Sequence, residues 1–384
     1  SWLVERSDDV DCVILTHGHE DHVGALSYFL AEINVPVYGT RLSVELAASR
    51  VEENGIDATF RALDDNEWAQ DGPFRFKLVP VSHSIPHGAG VALETPEGLI
   101  VHSGDFKLDP TPVDGRPTDL PTFDELGREG VRLLLADSTN AERPGFVPSE
   151  SSLGHNFYDI IAESSGRVIA ACFASHLHRV QQIADAAIDS GRKVAFLGRS
   201  MVRNVDIAGP LDALNVPADK VVAIDEVGDM DPSEVCVIST GSQGEPFAAL
   251  SLMAAGEHRA VKLEEGDTVL ISATPIPGNE KSVSRVINGL TRKGAKVFHG
   301  RNANVHVSGH GSRDELLTFL NVIRPQAFVP VHGEYRHLRA HADLAETMGV
   351  PDVEVLEDGD AIVLDGKKTL VERGAVPAGY VYLD

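Results

Sequence analysis

The sequence predicts an α/β protein with a metal-binding loop near its start and a doubly wound parallel sheet in its middle. Three observations carry this. Val13, Ile14 and Leu15 form an apolar run of strand type, and Val23, Leu26, Phe29, Leu30 and Ile33 then recur at roughly helical spacing. His17, Gly18, His19, Glu20, Asp21 and His22 therefore lie on a strand-to-helix turn. Later apolar runs end in His83, Asp105 and His332. Between residues 167 and 272 such runs alternate with helical patterns, as parallel strands joined by crossover helices do.

The first turn sets the chemistry. An open α/β sheet places its ligand at the carboxyl ends of strands. Three imidazoles beside carboxylates in six residues suit a divalent metal, zinc or manganese. The spacing is not HExxH, because Val23 stands four residues after His19, and this excludes a helix-borne metalloprotease site. The plain alternative is a polar turn that happens to be rich in histidine.

Taken in order, Pro36 to Tyr38 reads as a short strand and Leu42 to Val51 as a helix. A strand from Phe74 to Val81 ends at Ser82, His83 and Ser84, and one from Gly98 to His102 ends at Ser103, Gly104 and Asp105. A lone His or Asp at a strand end is ordinarily a hydrogen-bonding turn residue; with HGHEDH upstream, His83 and Asp105 become expected ligand segments. Leu133 to Ala136 leads into Asp137, Ser138, Thr139 and Asn140, and residues 144–152, rich in Pro, Ser and Gly, read as a domain crossover.

Beyond it, Arg167 to Phe173, Lys193 to Leu197, Val221 to Ile224, Val235 to Ser239 and Val269 to Ser272 read as buried strands, with Val180, Ile183, Ala184, Ala187 and Ile188 marking an intervening helix. Phe173, Ala174 and Ser175 precede His176, and Thr240 to Gly244 precede Glu245. Such loops either turn the chain or, at helix starts, offer backbone amides to phosphate. Residues 273–279 read as a rigid loop. The segment Val305 to His310 (VHVSGH) leads to a helix from Ser312 to Ile323, and a strand from Ala327 to Val331 ends at His332. The remaining histidines, among them His87, His102, His155, His258 and His341, read as surface or core residues. There is no internal repeat.

The length fits about two domains of roughly 100 to 200 residues each. No apolar run reaches the ~18 residues of a membrane span, and no leader pattern precedes the first strand, so a cytoplasmic enzyme with no membrane partner is expected. Cys12, Cys172 and Cys236 lie in apolar runs and read as reduced thiols. Thirty-three basic against 58 acidic residues give −25, which argues against a surface that coats nucleic acid generally. Residues 150–317 hold 16 Lys plus Arg against 21 Asp plus Glu, net −5, so a polyanion would have to use a local groove beside bound cations in this less acidic middle.

The motifs HGHEDH, VSHSIPH, HSGDFKLD, LLLADSTNAE, CFASHLHR, ISTGSQGEP, HVSGHG and PVHGEY, in this order, resemble ribonuclease J, the bacterial RNA-degrading branch of the β-CASP group within the metallo-β-lactamase superfamily. The resemblance covers nearly the whole sequence. It implies an αββα metallo-β-lactamase sandwich, residues 1–149 and 318–384, with a doubly wound parallel-sheet β-CASP domain inserted at 150–317 and RNA entering the cleft between them. Members of the family have further strands and a Gly-rich segment ahead of the metal loop, and another domain after the position of Asp384. The resemblance therefore implies a piece of a longer protein that forms a homodimer or homotetramer when full length.

Carried over by position, the resemblance implies that His17, His19, His83 and Asp105 hold one divalent cation and that Asp21, His22, Asp105 and His332 hold a second. Zinc comes first, with manganese or magnesium as alternatives. Asp21 would orient an activated hydroxide, Asp137 would steer a histidine, and His310 would act on the leaving oxygen. Phe173, Ala174, Ser175, His306 and Ser308 would hold RNA phosphate. The activity implied is hydrolysis of single-stranded RNA in RNA decay and rRNA or mRNA maturation: 5′-to-3′ exonuclease action on 5′-monophosphate ends, with endonuclease action besides. Rival readings are an esterase or thioesterase on the same fold, an inactive RNA-binding scaffold, and a DNA-acting β-CASP relative.

Overall fold

Strands that are apolar at every position need cover on both faces, and the middle of the chain supplies several. In the computed structural model, which describes residues 2–366 and 368–379, the strands in chain order are β1 (Val13–Ile14), β2 (Val37–Gly39), β3 (Phe60–Ala62), β4 (Trp68–Asp71), β5 (Phe74–Pro80), β6 (Ala89–Thr95), β7 (Gly98–His102), β8 (Val131–Asp137), β9 (Val168–Ala171), β10 (Lys193–Leu197), β11 (Val235–Ser239), β12 (Thr268–Ile271), β13 (Lys296–His299), β14 (Ala327–Val331), β15 (Asp352–Val353), β16 (Ala361–Asp365) and β17 (Lys368–Glu372). Strands β9, β11 and β12 are buried at every position. They form the centre of an all-parallel sheet, order β10-β11-β9-β12-β13. Helices Leu153–Ala162, Leu177–Asp189 and Arg199–Ala208 cover one face through Phe157, Val180 and Met201, and Ala249–Ala255 and Glu280–Arg292 cover the other through Leu250 and Leu290.

A parallel sheet β1-β2-β3 and a mixed sheet β15-β14-β8-β7-β6-β5-β4 pack face to face through Ile14, Tyr38, Phe76, Leu78 and Val91. Helices bearing Leu26, Leu30, Ala47 and Val51 close the outside of the small sheet. Phe123, Leu126, Phe319 and Leu344 close the outside of the large one. Strand β14, which follows the five-stranded sheet in sequence, returns to pair with β8 from Ala327↔Leu133 to Val331↔Asp137. The core is continuous between the two regions, since Leu42, Leu46 and Ile85 share one cluster with Leu177, Val305 and Val307. Among the described residues no helix is long and apolar enough to cross a membrane.

One expectation is corrected. The run Val221 to Ile224 makes only one bridge, Val194↔Val221, because the Glu226 side chain takes the Ala223 N–H and bends the chain away from the ladder. Of the two readings of the loop at Thr240 to Gly244 the turn is the one observed, since the next helix starts at Ala249. Gln243 instead braces residues 274–276, donating to the Thr274 carbonyl and accepting from Ile276 N–H. Strands β3, β4, β6, β13 and β15 to β17 are not evident from the sequence pattern; six of these seven span five residues or fewer.

Candidate metal centre

Five strand ends share one rim: β1 leads to His17–His22, β5 to His83, β7 to Asp105, β8 ends at Asp137 and β14 leads to His332. Asp105, buried, is the pivot. Its Oδ2 stands 3.2 Å from His22 Nε2, 3.5 Å from His17 Nε2, 3.5 Å from His332 Nε2 and 3.8 Å from His83 Nε2. Gly104 makes this placement feasible: its φ is 61°, and a Cβ there would lie 2.4 Å from the Ala89 carbonyl oxygen. Two groups of four result, His17, His19, His83, Asp105 and Asp21, His22, Asp105, His332, each with donor atoms within 4.8 Å of one another.

Hydrogen bonds orient the rings. His83 Nδ1 donates to the Gly309 carbonyl at 2.8 Å, which leaves Nε2 as a lone pair facing the other donors. His332 Nδ1 lies 2.8 Å from Thr139 Oγ1, which itself donates to Asp137 Oδ1 at 2.8 Å. His17 Nδ1 lies 3.0 Å from Thr16 Oγ1. Burial, then the neighbouring rings, holds His17 and His83 well below the usual histidine range. Burial also lowers His19, to about 4, against the pull of Asp105 and Asp21. Neutral rings with free lone pairs are what a divalent cation requires. For His332 burial is outweighed by the hydrogen bond to Asp21 and by Asp105 and Asp137, and its pKa rises to about 9. That hydrogen bond is also the main reason the exposed Asp21 sits below the ordinary carboxylate range.

His310 takes a different partner. Its Nδ1 is 2.7 Å from Asp137 Oδ2, and its ring stacks on His332 at 5.3 Å and meets His83 edge-on at 4.9 Å. A third group, Asp105, Asp137, His310 and His332, also converges within 4.8 Å.

The strap that delivers His310 is held at several points. Asn140 Nδ2 donates to Ser308 Oγ at 2.9 Å and to the His310 carbonyl at 2.7 Å. Buried Glu315 accepts the N–H groups of Leu108, Val147 and Ser312, each at 2.8 Å. His306 lies 3.2 Å from Nη1 of the fully buried Arg179, which also donates to Val305 O and makes a two-point pair with Glu150 at 2.6 and 2.9 Å. Burial, then Arg179, Arg143 and Lys107, pushes His306 down to about 3. Phe173, Ala174 and Ser175 run from β9 to His176, the N-cap of the helix carrying Arg179, so their link to His306 and Ser308 is indirect.

The seven expected metal ligands, with His310 and Asp137, thus come together at one rim. Ser84, Thr139 and Asn140, which the sequence places only as strand-end residues, support them together with Glu315 and Arg179. Only Glu315 carried a local signal, the Ser-x-x-Glu capping box with Ser312.

Family models match in three stretches: metallo-β-lactamase superfamily at residues 2–142, the ribonuclease J β-CASP domain at 165–290, and a Zn-dependent metallo-hydrolase RNA specificity domain at 298–356. Ribonuclease J of Mycobacterium tuberculosis is 45% identical over 383 residues, 99% of this chain and 68% of that protein. The chain belongs to the ribonuclease J family. Ribonuclease J 1 of Streptococcus pyogenes is 41% identical over 388 residues, covering 100% of this chain and 69% of its own length, and ribonuclease J of Helicobacter pylori is 41% identical over 389 residues, covering 56% of its own length. A crystal structure of an Enterococcus faecalis protein of unknown function matches with a TM-score of 0.64 at 16% identity, over 94% of this chain and 81% of that one, a likeness of fold alone. Family membership and the α/β fold agree with the motifs read from the sequence, and the ribonuclease J family is one of metal-dependent hydrolases of RNA ester bonds.

Proposed function

We propose that this chain hydrolyses RNA phosphodiester bonds at the rim around Asp105, and that residues 1–149 and 318–384 form the metallo-β-lactamase part and 150–317 the inserted β-CASP part. The end points 1 and 384 lie outside the described residues. The carrying observation is the pair of four-donor groups that share Asp105. The donor chemistry fits two divalent cations, zinc first and manganese or magnesium as alternatives: Nδ1 of His83 is committed to Gly309 and Nδ1 of His332 faces Thr139, which leaves both Nε2 atoms to the centre. Bound there, divalent cations would lower the pKa of a coordinated water and offset charge developing at phosphorus.

The chain's own residues then divide the work. Asp21 orients the attacking water, Asp137 keeps the His310 ring in place, and His310 stabilises or protonates the leaving oxygen. The 2.7 Å bond to Asp137 favours this role for His310 over a place among the metal ligands. Phe173, Ala174, Ser175, His306 and Ser308 hold a 5′-terminal phosphate. Support comes from Arg143, whose charge bears on His306; Arg179 and Lys107 act on it too, but are buried and paired with Glu150 and Asp109. A site closed beyond that phosphate measures one nucleotide to the scissile bond. It therefore releases mononucleotides 5′-to-3′ from single-stranded RNA, and internal cleavage accompanies this. A cytoplasmic place in RNA decay and rRNA or mRNA maturation, and a homodimer or homotetramer of the full-length protein, rest on the family alone.

The test is digestion of 5′-labelled and 3′-labelled RNA with and without chelator. Chelator-sensitive release of labelled mononucleotide from the 5′ label supports the proposal. Cleavage that persists in chelator, or a thioester hydrolysed faster than RNA, would sink it.

A further inference from the structure

The sequence assigns His178 no role, yet its side chain reaches from the helix after β9 to a candidate metal ligand. It lies in the first turn of helix Leu177–Asp189, directly after the loop Phe173–Ser175 and the N-cap His176. It is 4% exposed. A carbonyl can only accept, so His178 Nδ1 donates to the His83 carbonyl, at 3.2 Å, and His178 Nε2 approaches Asp114 Oδ2 to 3.2 Å without a hydrogen-bond partner among the described residues. The ring therefore spans from the inserted sheet to two separate segments of the metal-bearing half.

His83 is gripped from the other side as well. Its Nδ1 donates to Gly309 at 2.8 Å, and Gly309 belongs to the strap that leaves the inserted sheet. Both the helix that follows β9 and the strap that follows β13 thus hold one residue, one by its backbone and one by its ring. The surroundings transmit rather than absorb displacement. Leu177 and Ile85 lie fully buried in one cluster, and Arg179, one residue after His178, is anchored on Glu150, Ser272 and Val305. A shift of the 173–175 loop therefore moves the His178 donor relative to His83.

We infer that His178 is a positioning residue that couples the RNA-facing loop of the inserted sheet to His83, so that RNA and metal bind cooperatively. The inference rests on the proposed reading of His83 as a ligand and of residues 173–175 as an RNA contact. Reciprocity follows from linkage: if metal favours RNA, RNA favours metal by the same factor. Partners that orient a ligating histidine typically govern metal affinity by about 10–100-fold.

The experiment measures cobalt(II) and zinc affinity of the full chain by chelator competition, with and without a 5′-phosphorylated, 2′-O-methylated oligoribonucleotide that resists cleavage. In the wild type the oligonucleotide is expected to raise metal affinity about 5-fold or more. His178→Ala should lower metal affinity about 10-fold or more, shift the cobalt absorption bands and abolish the gain from RNA. His178→Gln, which keeps a donor in reach of the His83 carbonyl, should restore part of both, and His155→Ala, on an exposed helix face, should change neither. Should His178→Ala fail to fold, Asp114→Asn removes the charge beside the same ring from a partly exposed position and should cause a smaller loss of the same kind. Metal affinities within twofold of wild type with unchanged cobalt bands in every folded variant of His178 and Asp114, or a wild-type gain from RNA that survives in them, would overturn the coupling. A wild-type chain that binds no metal at all overturns the reading of His83 instead, which separates the two failures.

Discussion

His310 Nδ1 and Asp137 Oδ2 stand 2.7 Å apart, and this bond ties the strap behind the five-stranded sheet to the end of β8. Burial would lower the His310 pKa, but the charge and hydrogen bond of Asp137 raise it above the ordinary value. An acid that must stay protonated loses activity as pH rises through its pKa. Asp137→Asn removes the charge, lowers that pKa and should move the alkaline fall of kcat to lower pH. His310→Ala should cost a factor of roughly 100 or more in turnover while metal content stays near wild type. Loss of metal in that variant would place His310 among the ligands, in the third donor group.

Asp105 faces four imidazoles, whereas Asp21 faces two. Asp105→Ala should therefore lower occupancy of both metal positions, and Asp21→Ala that of one. Elemental analysis of the purified variants checks this, and two metals retained by Asp105→Ala would refute the shared ligand.

Gly309 has no room for a side chain. A Cβ there would lie 2.9 Å from His83 Cε1 and from Ser84 Cβ and Oγ. Gly309→Ala should destabilise the fold by about 1–3 kcal/mol, as overpacking does, and should reduce metal content by turning His83. Chemical denaturation together with metal analysis measures both effects.

Ser308 accepts a hydrogen bond from Asn140 and another from the His310 backbone N–H, so its hydroxyl hydrogen remains available to a phosphate oxygen. RNA with a 5′-monophosphate should be degraded faster than the triphosphorylated RNA of the same sequence, because the bulkier end does not fit. Ser308→Ala should shrink that ratio. The comparison belongs in the full-length protein, and equal rates on both RNA ends would favour internal cleavage.

His341 is buried against Phe328, with Nδ1 3.0 Å from Ser138 Oγ and no partner for Nε2 among the described residues, and burial drives its pKa down to about 3. The unfolded chain takes up this proton near the ordinary value of about 6.5, so stability present above that pH is lost as pH falls toward 3, by about 1.4 kcal/mol per unit. In chelator-treated protein the stability advantage of wild type over His341→Gln should shrink steadily below pH 6.5. An advantage independent of pH would mean that the ring charges freely.

The sequence by itself determined the histidine-rich turn, the strand ends at His83, Asp105 and His332 that carry candidate ligands, and the parallel middle sheet. Each is written locally: polar residues crowd the end of an apolar run, and continuous apolar strands can be satisfied only by cover on both faces. Family membership was legible for the same reason, since its motifs are contiguous. Tertiary structure alone decided which residues support those ligands. Thr139 reaches His332 across 193 positions, Gly309 reaches His83 across 226, and His178 reaches His83 across 95. No local spacing encodes such pairs, because they exist only once β14 returns beside β8 and the inserted sheet packs its core onto Leu42, Leu46 and Ile85. The failure at Val221 to Ile224 has the same origin: an apolar run sufficient for a strand was diverted by the Glu226 side chain, a competition for one backbone N–H that hydrophobic pattern does not record.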